Sequence, residues 1–475
     1  MPETNPFDPN YEAKKARGLE LNRSLPLDFV LWSNHENVER LISALYDDIL
    51  PSLELQRPRV EHIRAHIKVI ILNHLVGRRL LRDPWIGYPR RPGSFPIGRY
   101  NPSSIGRSRL LPIVEALTSL ELIEDVLGFQ DTRNPANSRS ARMKASPALL
   151  SLFNEYQVDA SMAFRLENEE TIILRAAKKT KGKAGKLVDY TDTTHTLQMR
   201  KNLQRINDLN GAWNITLDLS KGVEGIDFSR SRLKRIFNNE SFEEGGRFYG
   251  GWWQSLSEDQ RKHIKFNDTP SIEIDYSNLH IRMLYAKEGI EYAGDVYQIE
   301  GVPGELRPVI KQILLRIVNA DTQRKFMGSI MNDLEEPTKK HFPAGIVHLV
   351  NLLKAKHKPI AHHFHSGDGL KSQYRDSVLA EKIMLSFVER GQPILPVHDS
   401  FIVSAWEEHE LKAAMLSAFA EEYGVEGKVD VGDVIWPDDI DDYSDSDDDW
   451  IYWEMGRRES ERRKEEAAKK RKKSL

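Results

Sequence analysis

The sequence predicts an α+β protein, a mostly helical N-terminal domain followed by an antiparallel sheet flanked by helices. Three observations carry this. AHIKVIILNHLVG (65–77) is an aliphatic run with helical period. SIEID (271–275) alternates as a strand does, and ILPV and SFIVSA (394–397, 400–405) flank a two-residue turn as a hairpin does. At 475 residues the chain has length for two to four domains. It has no cysteine, which excludes disulfides, thiol nucleophiles, iron–sulfur clusters and Cys-type zinc sites and fits a reducing, cytoplasmic location. The net charge of −3 gives no global field for polyanions, so nucleic-acid binding would need local basic patches. MPETNPFDPNYEAKKARG lacks an apolar core, so no signal peptide is expected. No apolar stretch reaches the ~18 residues of a membrane span.

Residues 1–28 read as a flexible polar arm. Residues 29–153 read as a compact helical domain. Within it, segment 78–109 carries eight arginines against one acid, among many Pro and Gly, so it is basic and loop-rich. LLPIVEALTSLELIEDVLGF (110–129) reads as a helix and a short strand, and 131–153 as a basic turn, a strand and a closing helix. This order resembles the winged-helix domains of plasmid-type replication initiators. The resemblance implies a helix in the major groove and a wing on phosphate, with Arg133, Arg139, Arg142 and Lys144 as wing cations. The same pattern also fits a packing domain with a solvated basic face.

Residues 154–240 read as mixed and helical, a linking region. TTHTLQMRKNLQRINDLNGAW (193–213) is a long helix with a cationic face, either a nucleic-acid clamp or a surface helix. The tail, 431–475, is first acidic (PDDIDDYSDSDDDW) and then mostly basic. The acidic run cannot bury its charge.

The chemistry lies in 241–430. SIEID ends a strand at Asp275, and a helix follows with Ser277 as a possible N-cap. Asp399 sits at the tip of the second hairpin. One such carboxylate is ordinary turn chemistry. Two of them, each at the end of a buried strand, with the Tyr276 carbonyl, suit two Mg²⁺ ions (or Mn²⁺) for in-line phosphoryl transfer. Between them, Arg307, Lys311 and Leu315 of GELRPVIKQILLRIVNA recur every four residues on one helix face, a cationic pair suited to a triphosphate.

These segments resemble the palm motifs of family A DNA polymerases and phage-type single-subunit RNA polymerases. DYSNLHIR resembles motif A, RPVIKQILLRIVNA motif B and PVHDSF motif C; GGRFYGGWW resembles DxxGR, and HHFHSGDG the HSxDG stretch of the RNA polymerases. The resemblance covers roughly residues 240–425. It implies a right-hand palm and fingers, with 154–240 as a thumb-like region. It implies nucleoside triphosphates and a DNA template with a primer or nascent strand as partners, and no membrane. Arg247, His365 and His398 would lie near nucleic acid, and His280 and Asn319 near the incoming sugar. The departures are Leu315, Asn319 and Ala320 where motif B has an aromatic residue, tyrosine and glycine, His280 for the sugar-gating glutamate, and Ser400 for the motif C glutamate. His280 hydrogen-bonded to Asn319 would rebuild a gate. The activity implied is template-directed nucleotidyl transfer, first as a compact DNA polymerase of a phage, plasmid or mobile element. The alternatives are a small RNA polymerase or primase, and an inactive initiator or DNA-binding regulator.

Overall fold

The computed structural model describes residues 24–53, 59–129, 138–178, 184–218, 225–333 and 345–436. Arg133, most of the N-terminal arm and nearly all of the acidic and basic tail lie outside them. The chain forms two compact units, Met1–Glu170 with Gly222–Arg230, and Thr171–Lys221 with Ser231–Leu475. No helix among the described residues is long and apolar enough to cross a membrane.

The first unit comprises β1 (Leu25–Pro26), β2 (Leu31–Trp32), α1 (Glu36–Ile49), α2 (Val60–Leu80), β3 (Ile86–Tyr88), α3 (Arg107–Ser119), β4 (Ile123–Val126), β5 (Ala141–Ala145), α4 (Pro147–Glu155) and β6 (Phe164–Arg165). The expected arm therefore ends early, because β1 pairs with β3 and Leu27 is buried. Helix α2 is buried from Ile63 through Gly77 except Arg64, which places it at the centre of this unit's core. The sheet runs β1-β3-β5-β4, and β4 and β5 pair antiparallel.

Two of the expected wing cations serve the fold instead. Strand β5 lies between β3 and β4, so its side chains have neighbours on both edges. Arg142 is buried, and its Nε donates to Ser24 Oγ at 2.9 Å. Lys144 pairs with Asp83 and lies over the Trp85 ring. Arg139 stacks on Phe129 at 4.8 Å, where the two residues bridge the mouth of the turn.

The second unit contains β7 (Ile172–Leu174), α5 (Thr194–Ala212), β8 (Ile215–Leu217), β9 (Lys234–Asn238), β10 (Ser241–Tyr249), β11 (Ile264–Phe266), β12 (Thr269–Tyr276), α6 (Leu279–Lys287), α7 (Arg307–Asn319), α8 (Gln323–Asp333), α9 (Gly345–Lys356), α10 (Gly369–Glu389), β13 (Leu395–Val397), β14 (Ser400–Ser404), α11 (Glu408–Tyr423) and β15 (Val429–Val431). Its main sheet runs β13-β14-β12-β11-β8, and β15 pairs with the C-terminal half of β12. A smaller sheet runs β10-β9-β7. The expected boundary at 240 falls inside the β9–β10 hairpin, and β8 belongs to the main sheet. Strands of three to five residues carry too little periodicity to be read between longer helices.

Helix α5 packs one face into the second unit. Its buried face holds Met199, Leu203 and Ile206, and two asparagines that act as strand edges. Asn207 accepts from Leu233 N at 2.8 Å and donates to Leu233 O at 3.0 Å. Asn210 does the same with Ile394, at 3.0 and 2.9 Å. Each amide satisfies a backbone donor and acceptor that have no water to turn to. Asn207→Ala and Asn210→Ala should each lower unfolding free energy by about 1–3 kcal/mol in denaturant titrations, because a buried peptide group is left unpaired. A loss within error of zero at both positions would mean these bonds do not form.

Candidate active site

Strand β12 positions the site. Ile272 and Ile274 face the core while Glu273 and Asp275 share the opposite face. In the ladder Asp275 stands opposite Ser400 of β14 on one side and opposite Asp430 of β15 on the other. Asp399 immediately precedes Ser400 in the two-residue turn, and its carbonyl accepts from Tyr276 N at 3.3 Å. The hairpin that carries it is fixed from behind: Trp253 Nε1 and Gln254 Nε2 both donate to Pro396 O, at 3.0 and 2.9 Å. His398, at the turn, has φ +60, and its ring packs edge-on to Tyr249.

One cleft is lined by Asp275, Tyr276, His280, Arg307, Lys311, Leu315 and Asp399, together with Asn278, Tyr297 and Asp430. The face of α7 read from the four-residue spacing therefore meets the two carboxylates. The opposite face of α7 buries Ile310, Ile313, Leu314, Ile317 and Val318. Arg307 pairs with Asp295 at 3.1 Å and stacks over the Tyr297 ring at 5.1 Å. Lys311 lies 5.9 Å from that ring.

The charges are unevenly satisfied. Glu273 is held by Arg261 at 2.7 and 2.9 Å and by the Ser400 hydroxyl. Asp430 accepts from Ser277 Oγ. The carboxylates of Asp275 and Asp399 have no hydrogen-bond or ion-pair partner among the described residues. The Asp275 carboxyl touches solvent but sits on the cleft floor, where restricted solvation raises its pKa to about 7. Asp399, Glu273 and Asp430 add to the rise, and Lys311 opposes it. Like charges set opposite one another on neighbouring strands are destabilising unless a cation intervenes. Two unpaired, hard oxygen donors in a repelling cluster fit a divalent metal such as Mg²⁺.

Several expected residues stand elsewhere. Ser277 does not cap α6; its hydroxyl is committed to Asp430, and Asn278, at φ +56, occupies the cap position without a side-chain bond. His280 does not bond Asn319. Its Nε2 meets Asp376 Oδ2 of α10 at 2.8 Å and lies 3.2 Å from the Arg247 guanidinium. Arg247 Nε donates to both oxygens of Asp376, at 3.1 and 2.9 Å. Asn319 folds back on its own helix, donating to Leu315 O at 2.6 Å. His365, at φ +60, packs against Phe326 with both ring nitrogens buried, away from the cleft lining. Burial lowers its pKa.

Asp376 and Asp430 are the residues that sequence reasoning missed. Asp430 lies in VDV, a strand of three residues whose alternation is too short to mark it. Asp376 lies within a long amphipathic helix, where an acidic residue reads as exposed, yet its side chain is 2% accessible.

No family model matches the chain, and no curated protein does. Among solved structures, the chain is similar to the polymerase domain of Pol1 from M. smegmatis in complex with DNA primer-template and dNTP, at 12% identity and a TM-score of 0.29. The match covers 85% of this chain and 66% of that one. At that score no correspondence of fold or residues follows from it.

The raised Asp275 pKa gives a signed expectation. The folded chain holds a proton that the unfolded chain releases near pH 3.8, so stability falls as pH rises from about 4 to about 7. In chelator, melting temperature should fall across that window, and less steeply in Asp275→Asn. Mg²⁺ should raise it more at about pH 8 than at about pH 5. Equal Mg²⁺ effects at both pH values would show that Asp275 is not at the cation site.

Proposed function

We propose that the chain is a template-directed nucleotidyltransferase that extends a nucleic-acid 3′ end with nucleoside triphosphates. The observation that carries this reading is the meeting of the unpaired Asp275 and Asp399 carboxylates, one on β12 and one in the turn that leads into the adjacent β14, with Arg307, Lys311 and Leu315 in one cleft. Asp275, Asp399 and the Tyr276 carbonyl would hold two divalent ions, which when bound lower the pKa of the attacking 3′-hydroxyl and neutralise charge on the leaving pyrophosphate. Lys311 and Arg307 bind the triphosphate. The Arg307–Asp295 pair is half exposed, so exchanging the carboxylate for phosphate costs little. Tyr297 gives Arg307 a platform that directs it along the cleft. Leu315 offers the nascent base pair an aliphatic surface. Duplex contact by the β4–β5 hairpin belongs to the same proposal, carried by Arg139.

DNA synthesis is the leading form. Asp376 anchors His280 at the cleft wall, so a fixed imidazole meets the incoming sugar. RNA synthesis is the second form, supported by the HDSF and HSGDG stretches.

Primer extension tests the reading. Asp275→Asn and Asp399→Asn should each reduce single-nucleotide incorporation by ~10³-fold or more, about 4 kcal/mol of transition-state stabilisation, with folding and duplex affinity retained. Lys311→Ala should raise KM for nucleotide and lower kcat. Near-normal incorporation by either Asp variant would overturn the assignment.

His280→Gly should admit ribonucleotides while dNTP use changes little. Asp376→Asn should loosen the ring and relax sugar selection in the same direction by a smaller factor. A wild-type enzyme that prefers NTPs, and loses that use when His280 becomes Gly, would install the RNA-polymerase form.

A further inference from the structure

A second cluster of ligating side chains stands apart from the carboxylates of the cleft. Glu288 follows the last residue of α6. His362 and His363 end a short turn of 3-10 helix, Lys358–His363. The Nε2 atoms of His362 and His363 approach the same oxygen, Glu288 Oε1, at 3.2 and 3.0 Å. All three candidate ligand atoms lie within 4.8 Å of one another, and the two rings are 4.1 Å apart.

We propose that Glu288, His362 and His363 bind a divalent transition-metal ion of the Zn²⁺, Ni²⁺ or Co²⁺ class. Ligands at about 2.0–2.1 Å from a tetrahedral ion stand roughly 3.3–3.4 Å apart, so the observed edges need only a small outward movement. Two imidazoles and one carboxylate select a borderline transition metal over Mg²⁺, which prefers an all-oxygen shell. Without metal, both nitrogens compete for one carboxylate oxygen; an ion placed among the three turns that crowding into coordination. The imidazoles then act through their lone pairs and need no proton.

The scaffold is already rigid. His357, which precedes this turn, is buried; its ring meets Tyr285 Oη of α6 at 2.9 Å and Val296 O at 2.9 Å. Helix α6 is therefore joined to the start of the turn that carries both histidines, which preorganises the ligands. His362 and Glu288 remain partly exposed, 59% and 33%, which leaves an entry path and room for a water as fourth ligand. The ion would rivet the end of α6, the helix that starts just after Asp275, to the turn that leads to His365. This site does not depend on the polymerase reading.

The test uses the full chain without a histidine tag, stripped with chelator, in the Asp275→Asn background to remove cleft binding. Co²⁺ is titrated and followed by visible absorption and calorimetry, with Mg²⁺ as control. One Co²⁺ per chain should bind with a tetrahedral spectrum that Zn²⁺ abolishes, and Mg²⁺ should not compete. His362→Ala with His363→Ala should weaken Co²⁺ at least tenfold, and Glu288→Gln should weaken it less. Unchanged melting temperature of these variants in chelator shows that they fold. Co²⁺ binding no stronger than Mg²⁺ binding, or equal in the double variant, would overturn the proposal and leave a histidine–glutamate ion pair. The tetrahedral spectrum in the wild-type background but not in Asp275→Asn would place the ion in the cleft and overturn it too.

Discussion

The backbone ladder around β12 is the constraint on which the site depends. Hydrogen bonds to β14 on one side and β15 on the other place Asp275, Asp399 and Asp430 together on a single cleft floor. Ladder bonds are obligatory once the strands are buried, so the carboxylates cannot separate to relieve their repulsion. The protein relieves part of it chemically. Arg261 and Ser400 neutralise Glu273, and Ser277 binds Asp430. Asp275 and Asp399 are left, and that selective lack of partners makes the floor suited to a cation.

The second constraint is the buried carboxylate of Asp376. It holds Arg247 through two oxygens and His280 through one, so strand β10 and helix α6 are fixed relative to each other by a single side chain of α10. A buried ion pair of this kind adds little net stability, since desolvation offsets most of the attraction. Its effect is positional. With Asn319 turned back onto α7, the His280 ring of the cleft lining is held from α10 and not from the end of α7.

The parts of the site legible in the sequence were those with local signatures. Asp275 and Asp399 stood at the ends of apolar runs, and Arg307, Lys311 and Leu315 kept a four-residue spacing that α7 reproduces. What escaped depended on tertiary partners. Ser277 resembled a cap until Asp430 took its hydroxyl, and Arg142 resembled a wing cation until β5 proved to be an inner strand. The boundary expected at 240 falls at the tip of a hairpin whose two strands pair with each other, a contact the local sequence does not show. Asp376 carried no signal, since a single acidic residue in a charged helix looks solvated from sequence.

Asp275 and Asp399 lie 124 positions apart (399 − 275), yet Asp275 pairs in the ladder with Ser400, the residue next to Asp399. Most of that interval has a hydrophobic core of its own, running from Ile281 to Phe364 and built on α6, α7 and α9. Bringing β12 and β14 together from an unstructured chain would carry the entropy of a very long loop. If the intervening core condenses first, the ends are already drawn close and the strands meet across a much shorter effective tether. In that order of events the insert that presents Lys311 to the cleft would also shorten the tether of the sheet it serves.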